Sequence, residues 1–337
     1  MRRLAAVSRI AIPLAGALAL SACSSSAQPN DSLQVVAHPT AATPAASPAV
    51  SVPPAGQVLA MPAVSAIAAD QQSRTLVVAL AQPPELRIYD LGSLDAPKKT
   101  VSLPGPAESL SASAGQAIAG VPSKGVLARV ALPSGQLNTE KVAGQPAAGL
   151  ADGADTLVAV RDRKAVEVLT NGAVSKTITG QLYSADDVVD TGNSVVVLDR
   201  LRTAVFSVNV QAGTMDEGLR AGDGAANAVA DSYGRVLVTD ARAGALLAFS
   251  TNPLILRQRY PVPGGAYGIA YDAKRSLAWV TLTARNEVVG YDVRGGEPTE
   301  KYRFPTVRQP NSVGVDDQSG RVFVGSAAGE GTQVIQP

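Results

Sequence analysis

The chain has 337 residues, of which 46% are apolar and 17% charged, a balance that builds globular cores and excludes a largely disordered protein. A formal net charge of +1 excludes a nucleic-acid binder, which needs a strongly basic stripe or patch. Arg is used more than Lys and Ala is abundant, a hint of a GC-rich genome.

The first 22 residues read as a targeting segment. Arg2, Arg3 and Arg9 form a positive n-region, and Ile10 to Leu20 form an apolar run of 11 residues. Such a run is too short to span a bilayer, which takes about 20 residues, but it suits a secretory signal. The next residues, Leu20-Ser21-Ala22-Cys23, resemble the lipobox of bacterial lipoproteins. The resemblance implies that Cys23 becomes the first mature residue and carries lipid on its sulfur. Cys23 is the only cysteine, so no intramolecular disulfide is possible, and lipidation accounts for a lone thiol in an exported chain. The expected location is the extracytoplasmic side of the cell membrane, with the membrane itself as partner through Cys23.

Residues 23–56 are rich in Ser, Ala and Pro. That composition buries too little apolar surface to fold, so a disordered, lipid-anchored tether is predicted. The only histidine, His38, lies in this tether and reads as a solvated spacer.

From residue 57 to residue 337 the texture is β-rich. One phrase recurs seven times: an apolar run, a small or acidic residue, a tight turn, then a Val/Leu-rich strand. Its clearest copies end at Leu80, Ala241, Leu282 and Ser326, and the aligned turn positions are Asp70, Ser113, Asp152, Asp190, Asp231, Asp272 and Asp316. The first and last of these lie 246 residues apart over six intervals, a mean of 41. A period near 40 residues that holds four strands predicts an all-β, seven-bladed β-propeller, and seven turns in register argue against a β-sandwich. The last repeat stops after its third strand, at Thr332 to Ile335. The segment Gly56 to Pro62 precedes the first repeat without a partner of its own. It is expected to supply the missing fourth strand and close the ring. The recurring turn aspartates are expected to cap hairpins, and Trp279 to sit in the core.

The stretch LAWVTLTARNEVVGYDV, Leu277 to Val293, resembles the repeat of YVTN-type propellers, a group with lactonase-like and surface-layer members. VLVTDARAGALLAFS, Val236 to Ser250, resembles NHL-type repeats. With the lipobox and the Ala/Arg-rich composition, the chain is similar to conserved lipoproteins of actinobacterial, mycobacterial type. The resemblance implies a propeller domain and leaves activity open, because function sits in loops placed on the fold.

The predicted domain contains neither His nor Cys, which excludes a Ser-His-Asp triad, a Cys nucleophile, a zinc cluster and a haem held through either residue. No cofactor is predicted. Oxygen ligands remain, and lactonase-like propellers place metals at the channel mouth, so a metal-assisted hydrolase using Asp and Asn is the alternative function. Propeller topology puts the connectors into the first strands, and the loops between second and third strands, on one face. That placement predicts convergence of Asp186, Asp187, Asn227, Tyr267 and Asn311 near the channel. Arg161, Arg163, Arg200, Arg202, Arg242 and Arg285 form an arc around them. Arg forks suit carboxylates, phosphates and sugar hydroxyls, so the favoured role is binding of an envelope glycan or a protein partner by a monomer. In the plainer reading, Asp199, Asp240 and Glu287 pair with neighbouring Arg residues as a solvated rim. Adjacent strand residues point to opposite faces, so Asp186 and Asp187 are not expected to serve one site.

Overall fold

The computed structural model describes residues 38–337; the signal segment, Cys23 and residues 24–37 lie outside the described residues. Among the described residues, 28 strands form seven four-stranded antiparallel sheets. Six sheets follow chain order, as expected of consecutive blades. Their first strands are Val64–Asp70, Ser109–Ser113, Pro146–Asp152, Asp187–Asp190, Ala225–Ala230 and Ala266–Asp272. The seventh blade opens with Pro310–Val315. The protein is therefore a seven-bladed β-propeller.

The repeat phrase explains the blade. Its second strands are continuous apolar runs, such as Thr75–Leu80 and Leu277–Leu282, and every residue of both is buried. A strand covered on both faces by neighbouring blades has no solvent side, so its pattern does not alternate. Trp279 is fully buried and stacks on Tyr302 and Phe304, with centroids 5.7 and 6.3 Å away. Gly290, on the adjacent strand, leaves room for its ring, since a β-carbon there would lie 2.9 Å from the indole.

The turn aspartates do cap their hairpins, and several positions beside them also join blades. Asp231 accepts the N–H groups of Tyr233 and Arg235, both at 2.9 Å. Asp70 accepts the Ser73 N–H at 2.9 Å and, from blade 2, the Gly115 N–H at 3.0 Å. Asp316 of blade 7 pairs with Arg74 of blade 1 at 2.8 Å. Burial alone would raise the Asp316 carboxyl, yet Arg74, the Ser319 hydroxyl and the Gln318 N–H together hold it down to about 2.

Closure occurs as the strand count requires. Gln57–Leu59 pairs antiparallel with Thr332–Val334 and becomes the fourth strand of blade 7. Beside it, the fully buried Gln333 side chain donates to the carbonyls of Ala55 at 2.7 Å and Pro305 at 2.9 Å, and accepts the Val307 N–H at 3.1 Å.

Within the predicted tether, residues 39–50 depart from expectation. Residues 39–50 carry no helix or strand, but they lie against the propeller instead of extending free of it. Ala42 is 1% exposed, and Ser47 exchanges hydrogen bonds with Gln309. The expectation failed because side chains as small as Ala and Pro give little apolar surface to read, whereas most of the hydrogen bonds here are made by backbone carbonyls, with Thr40 and Ser47 adding their hydroxyls. His38 is exposed.

Gln333→Leu keeps the volume at that position but leaves the Ala55 carbonyl and the Val307 N–H unpaired, while the Pro305 carbonyl keeps the Ala55 N–H at 3.0 Å. At about 1 kcal/mol or more for each orphaned group, it should lower unfolding stability by about 2 kcal/mol. Urea unfolding followed by circular dichroism measures this, and an unchanged midpoint would contradict the role given to Gln333.

Candidate functional site

The first strands of all seven blades contribute to one cavity of about 280 Å³ in the central channel. Its lining includes Asp187, Arg200, Asn227, Tyr267 and Asn311 from blades 4 to 7, with Glu108, Ser109 and Ser312 alongside. The first strand carries a register shift near its start in blades 1, 3, 5, 6 and 7. Such bulges re-aim side chains at the rim of a barrel-like opening.

The polar groups are held in place. Asn227 Nδ2 donates to the Tyr267 carbonyl at 3.0 Å, and Thr239 Oγ1 donates to the same oxygen at 2.7 Å. Arg200 donates to the Tyr267 hydroxyl at 3.3 Å, and Gln309 Nε2 to Asn311 Oδ1 at 2.9 Å. Ser109 Oγ and Ser312 Oγ are buried beside the channel without a hydrogen-bond partner among the described residues. Sequence reading missed these hydroxyls. The only available signal was their place at the start of a first strand.

The two adjacent aspartates part as the strand geometry requires. Asp186 turns to the blade interface, where it takes Arg161 Nε at 2.8 Å and the Ser184 hydroxyl at 2.5 Å. Arg161 also reaches Glu108 of blade 2 at 2.9 Å, which locks three blades together. Asp187 lines the cavity. Desolvation pushes its carboxyl up to about 7, opposed by the Val188 N–H, reinforced by the charge of Asp186 and opposed again by Arg200.

The arginine arc divides by function. Arg202 leaves it: this side chain is 3% exposed, donates to the Gln181 carbonyl and lies 4.6 Å over the Tyr183 ring. Arg163 pairs with the buried Glu167 at 3.3 Å. Arg285 is exposed at the rim. Arg200 and Arg242 hold the N-terminal segment through the carbonyls of Ala42 at 2.6 Å and Thr40 at 2.7 Å.

The solvated-rim reading fails for Asp199 and Asp240, which are fully buried. Asp199 accepts the N–H groups of Tyr183 and Arg202 at 2.5 and 2.7 Å. Asp240 accepts those of Asp223, Gly224 and Ala243 at 2.9, 2.9 and 3.0 Å. These carboxylates replace the partners that loop backbone would otherwise find in water, so they build the loops and are not free to bind. Glu287 pairs with Arg303 at 2.5 Å, as the rim reading expects.

Among the described residues, no group of three or more His, Cys, Asp or Glu side chains is placed to hold a metal.

The chain matches no protein-family model, and no curated protein matches it in sequence. Solved structures resemble it closely in fold. Hydrazine synthase of Kuenenia stuttgartiensis superposes with a TM-score of 0.71 at 14% identity, covering 83% of this chain and 97% of that one. Virginiamycin B lyase of Staphylococcus aureus gives 0.68 at 10% identity, covering 83% and 98%. A streptogramin B lyase gives 0.69 at 10%, covering 82% and 94%. At these identities the likeness defines the fold, a seven-bladed propeller.

Asp187 makes stability depend on pH with a definite sign. Below about pH 4 the group is protonated whether the chain is folded or unfolded. Between about 4 and 7 only the folded chain keeps the proton, so stability falls as pH rises, and the full penalty is present above about 7. Asp187→Asn carries no charge at any pH. It should match the parent at pH 4 and exceed its stability at pH 8 by on the order of 2 kcal/mol, since channel water screens part of the penalty. Urea midpoints at pH 4, 6 and 8 measure the difference, and parallel curves would contradict the assignment.

Proposed function

We propose that the protein is an extracytoplasmic lipoprotein, anchored in the cell membrane through Cys23, whose propeller binds a polar envelope ligand or partner at the channel mouth. The observation that carries this reading is the company kept around the cavity. Asp187, Arg200, Asn227, Tyr267 and Asn311 converge on it from consecutive blades, and the Ser109 and Ser312 hydroxyls beside it have no hydrogen-bond partner among the described residues. Groups of mixed charge and hydrogen-bonding type suit a hydroxyl-rich ligand such as a glycan, because each hydroxyl both donates and accepts. The lipobox-like Leu20 to Cys23 supports the anchor. The YVTN- and NHL-like stretches and the Ala/Arg-rich composition support an actinobacterial lipoprotein.

An enzymatic reading rests on Asp187. A carboxyl with its pKa near 7 is suited to general acid–base work, and lyases stand among the structural neighbours. For a metal-assisted hydrolase, Asp187 would have to act with Asn227 and Asn311.

Two measurements check these readings. In an envelope-bearing bacterial host, Cys23→Ser should abolish incorporation of labelled palmitate and move the protein from the membrane pellet to the soluble fraction. Continued labelling would disprove the anchor. A thermal-shift panel of envelope glycan fragments, lactones and divalent cations, run on the detergent-extracted full chain, tests the mouth. A ligand at 100 times its Kd adds about 2.7 kcal/mol of stability. A glycan shift lost in Asp187→Ala/Asn311→Ala supports the binding reading. A shift with metal or lactone instead supports the hydrolase.

A further inference from the structure

The N-terminal segment crosses the face on which the arginine arc lies, and its contacts have a pattern. Thr40 O accepts from Arg242, Ala42 O from Arg200 at 2.6 Å, Ala45 O from Gln309 at 3.0 Å and Pro48 O from Asn286 at 2.9 Å. These donors come from blades 5, 4 and 7 and from the loop that opens the third strand of blade 6. The last three acceptors are spaced by three residues, which is the repeat of a polyproline-II helix, and Pro39, Pro44 and Pro48 favour that conformation. Ala42 and Ala45 sit over two glycines. A β-carbon at Gly224 would lie 3.0 Å from Ala42 Cβ, and one at Gly265 would lie 3.1 Å from Ala45 Cβ. The face thus reads carbonyl oxygens three residues apart and admits small side chains at two positions with the same spacing, 42 and 45.

We infer that this face is a docking groove for extended Ala/Pro-rich peptide segments with two small residues three positions apart, and that residues 39–48 are its in-chain occupant. A partner protein carrying such a segment would dock when the in-chain copy lifts. This inference deepens the binding-module reading and rests on it. The groove and the channel are joined physically, because Arg200 and Gln309 each hold the segment with one nitrogen and touch a channel group, Tyr267 or Asn311. Small side chains at the inward positions favour no particular sequence beyond size. Thr40 Oγ1, taken by Arg242 at 2.9 Å, and Ser47 Oγ, donated to Thr283 O at 2.5 Å, add the only side-chain readout.

The test uses the full chain in detergent and a fluorescein-labelled peptide of residues 39–50, PTAATPAASPAV. In the unaltered chain the tethered copy acts at an effective concentration of about millimolar, so added peptide should bind poorly. Ala42→Arg/Ala45→Arg in the chain expels its own segment by bulk and by repulsion from Arg200 and Arg242. Fluorescence anisotropy should then show peptide affinity at least tenfold higher. The gain should vanish for a peptide with Arg at the same two places, and when Arg200→Ala/Arg242→Ala is added to the chain. No gain, or equal binding of the Arg-bearing peptide, would overturn the inference. Should the doubly substituted chain fail to melt cooperatively, Arg200→Ala/Arg242→Ala in the otherwise unaltered chain gives a second readout. Elastase cleavage within residues 39–50 should quicken at least tenfold while the propeller stays resistant, and an unchanged rate would overturn the inference. The glycan panel on the same preparations separates the two readings. A glycan shift without peptide binding removes the groove alone, and failure of both removes both.

Discussion

Everything on the mouth of this propeller depends on a three-residue backbone ladder. Gln57 to Leu59 pairs with Thr332 to Val334, and without it blade 7 would have three strands and an open edge. A ring of blades has no partial closure. Beside this ladder, the inner strands of blades 7 and 1 pack directly, with Gly314 and Gly325 against Ile67, which fixes the groups those blades bring to the channel. The buried Gln333 sits at this junction and ties together Ala55, Pro305 and Val307. Arg74 and Asp316 clasp the same two ends of the ring at the hairpin turns. The chain thus joins its two ends at several layers of one interface. Backbone pairing sets the register there, and side chains satisfy the polar groups that pairing leaves over.

The two ends of the barrel use the repeat differently. At the hairpin turns, similar residues recur from blade to blade, and Asp70, Asp231, Asp272 and Asp316 each accept nearby N–H groups. Repetition there serves construction. At the mouth, equivalent strands deliver a mixed set of residues: Asp187, Asn227, Tyr267 and Asn311. A symmetric scaffold can become a selective site only where its symmetry is broken, and the break coincides with the cavity. The pair Asp186–Asp187 shows the division within two residues. One carboxylate is consumed by Arg161 and Ser184 to brace blades together. The other faces the channel and accepts the neighbouring Val188 N–H at 2.9 Å, and burial raises its carboxyl to about 7.

The fold was legible because hydrophobic periodicity and turn chemistry repeat. The position of Asp70, Asp272 and their counterparts fixed the blade length, and the unfinished last repeat pointed to Gly56 to Pro62 as its completion. The channel residues were legible as a group because topology alone decides which loops share a face. Burial of individual polar residues was not. Asp199, Asp240 and Arg202 look like surface residues in an Asp–Arg loop, and only the fold shows that backbone N–H groups and the Tyr183 ring surround them. The N-terminal segment was the least legible. Its side chains carry no amphipathic pattern, since the groups that dock it are mostly carbonyl oxygens, which every sequence has.

The composition that made residues 39–50 look unstructured also explains why they can dock. Pro39, Pro44 and Pro48 remove backbone freedom before the segment meets the propeller, which lowers the entropy lost on docking. Ala at positions 42 and 45 loses no rotamer freedom and fits over Gly224 and Gly265. The gain comes from charged and amide donors on carbonyl oxygens, partly in contact with solvent, where each bond contributes modestly. A chain of small residues and prolines is held in register by donors from four blades.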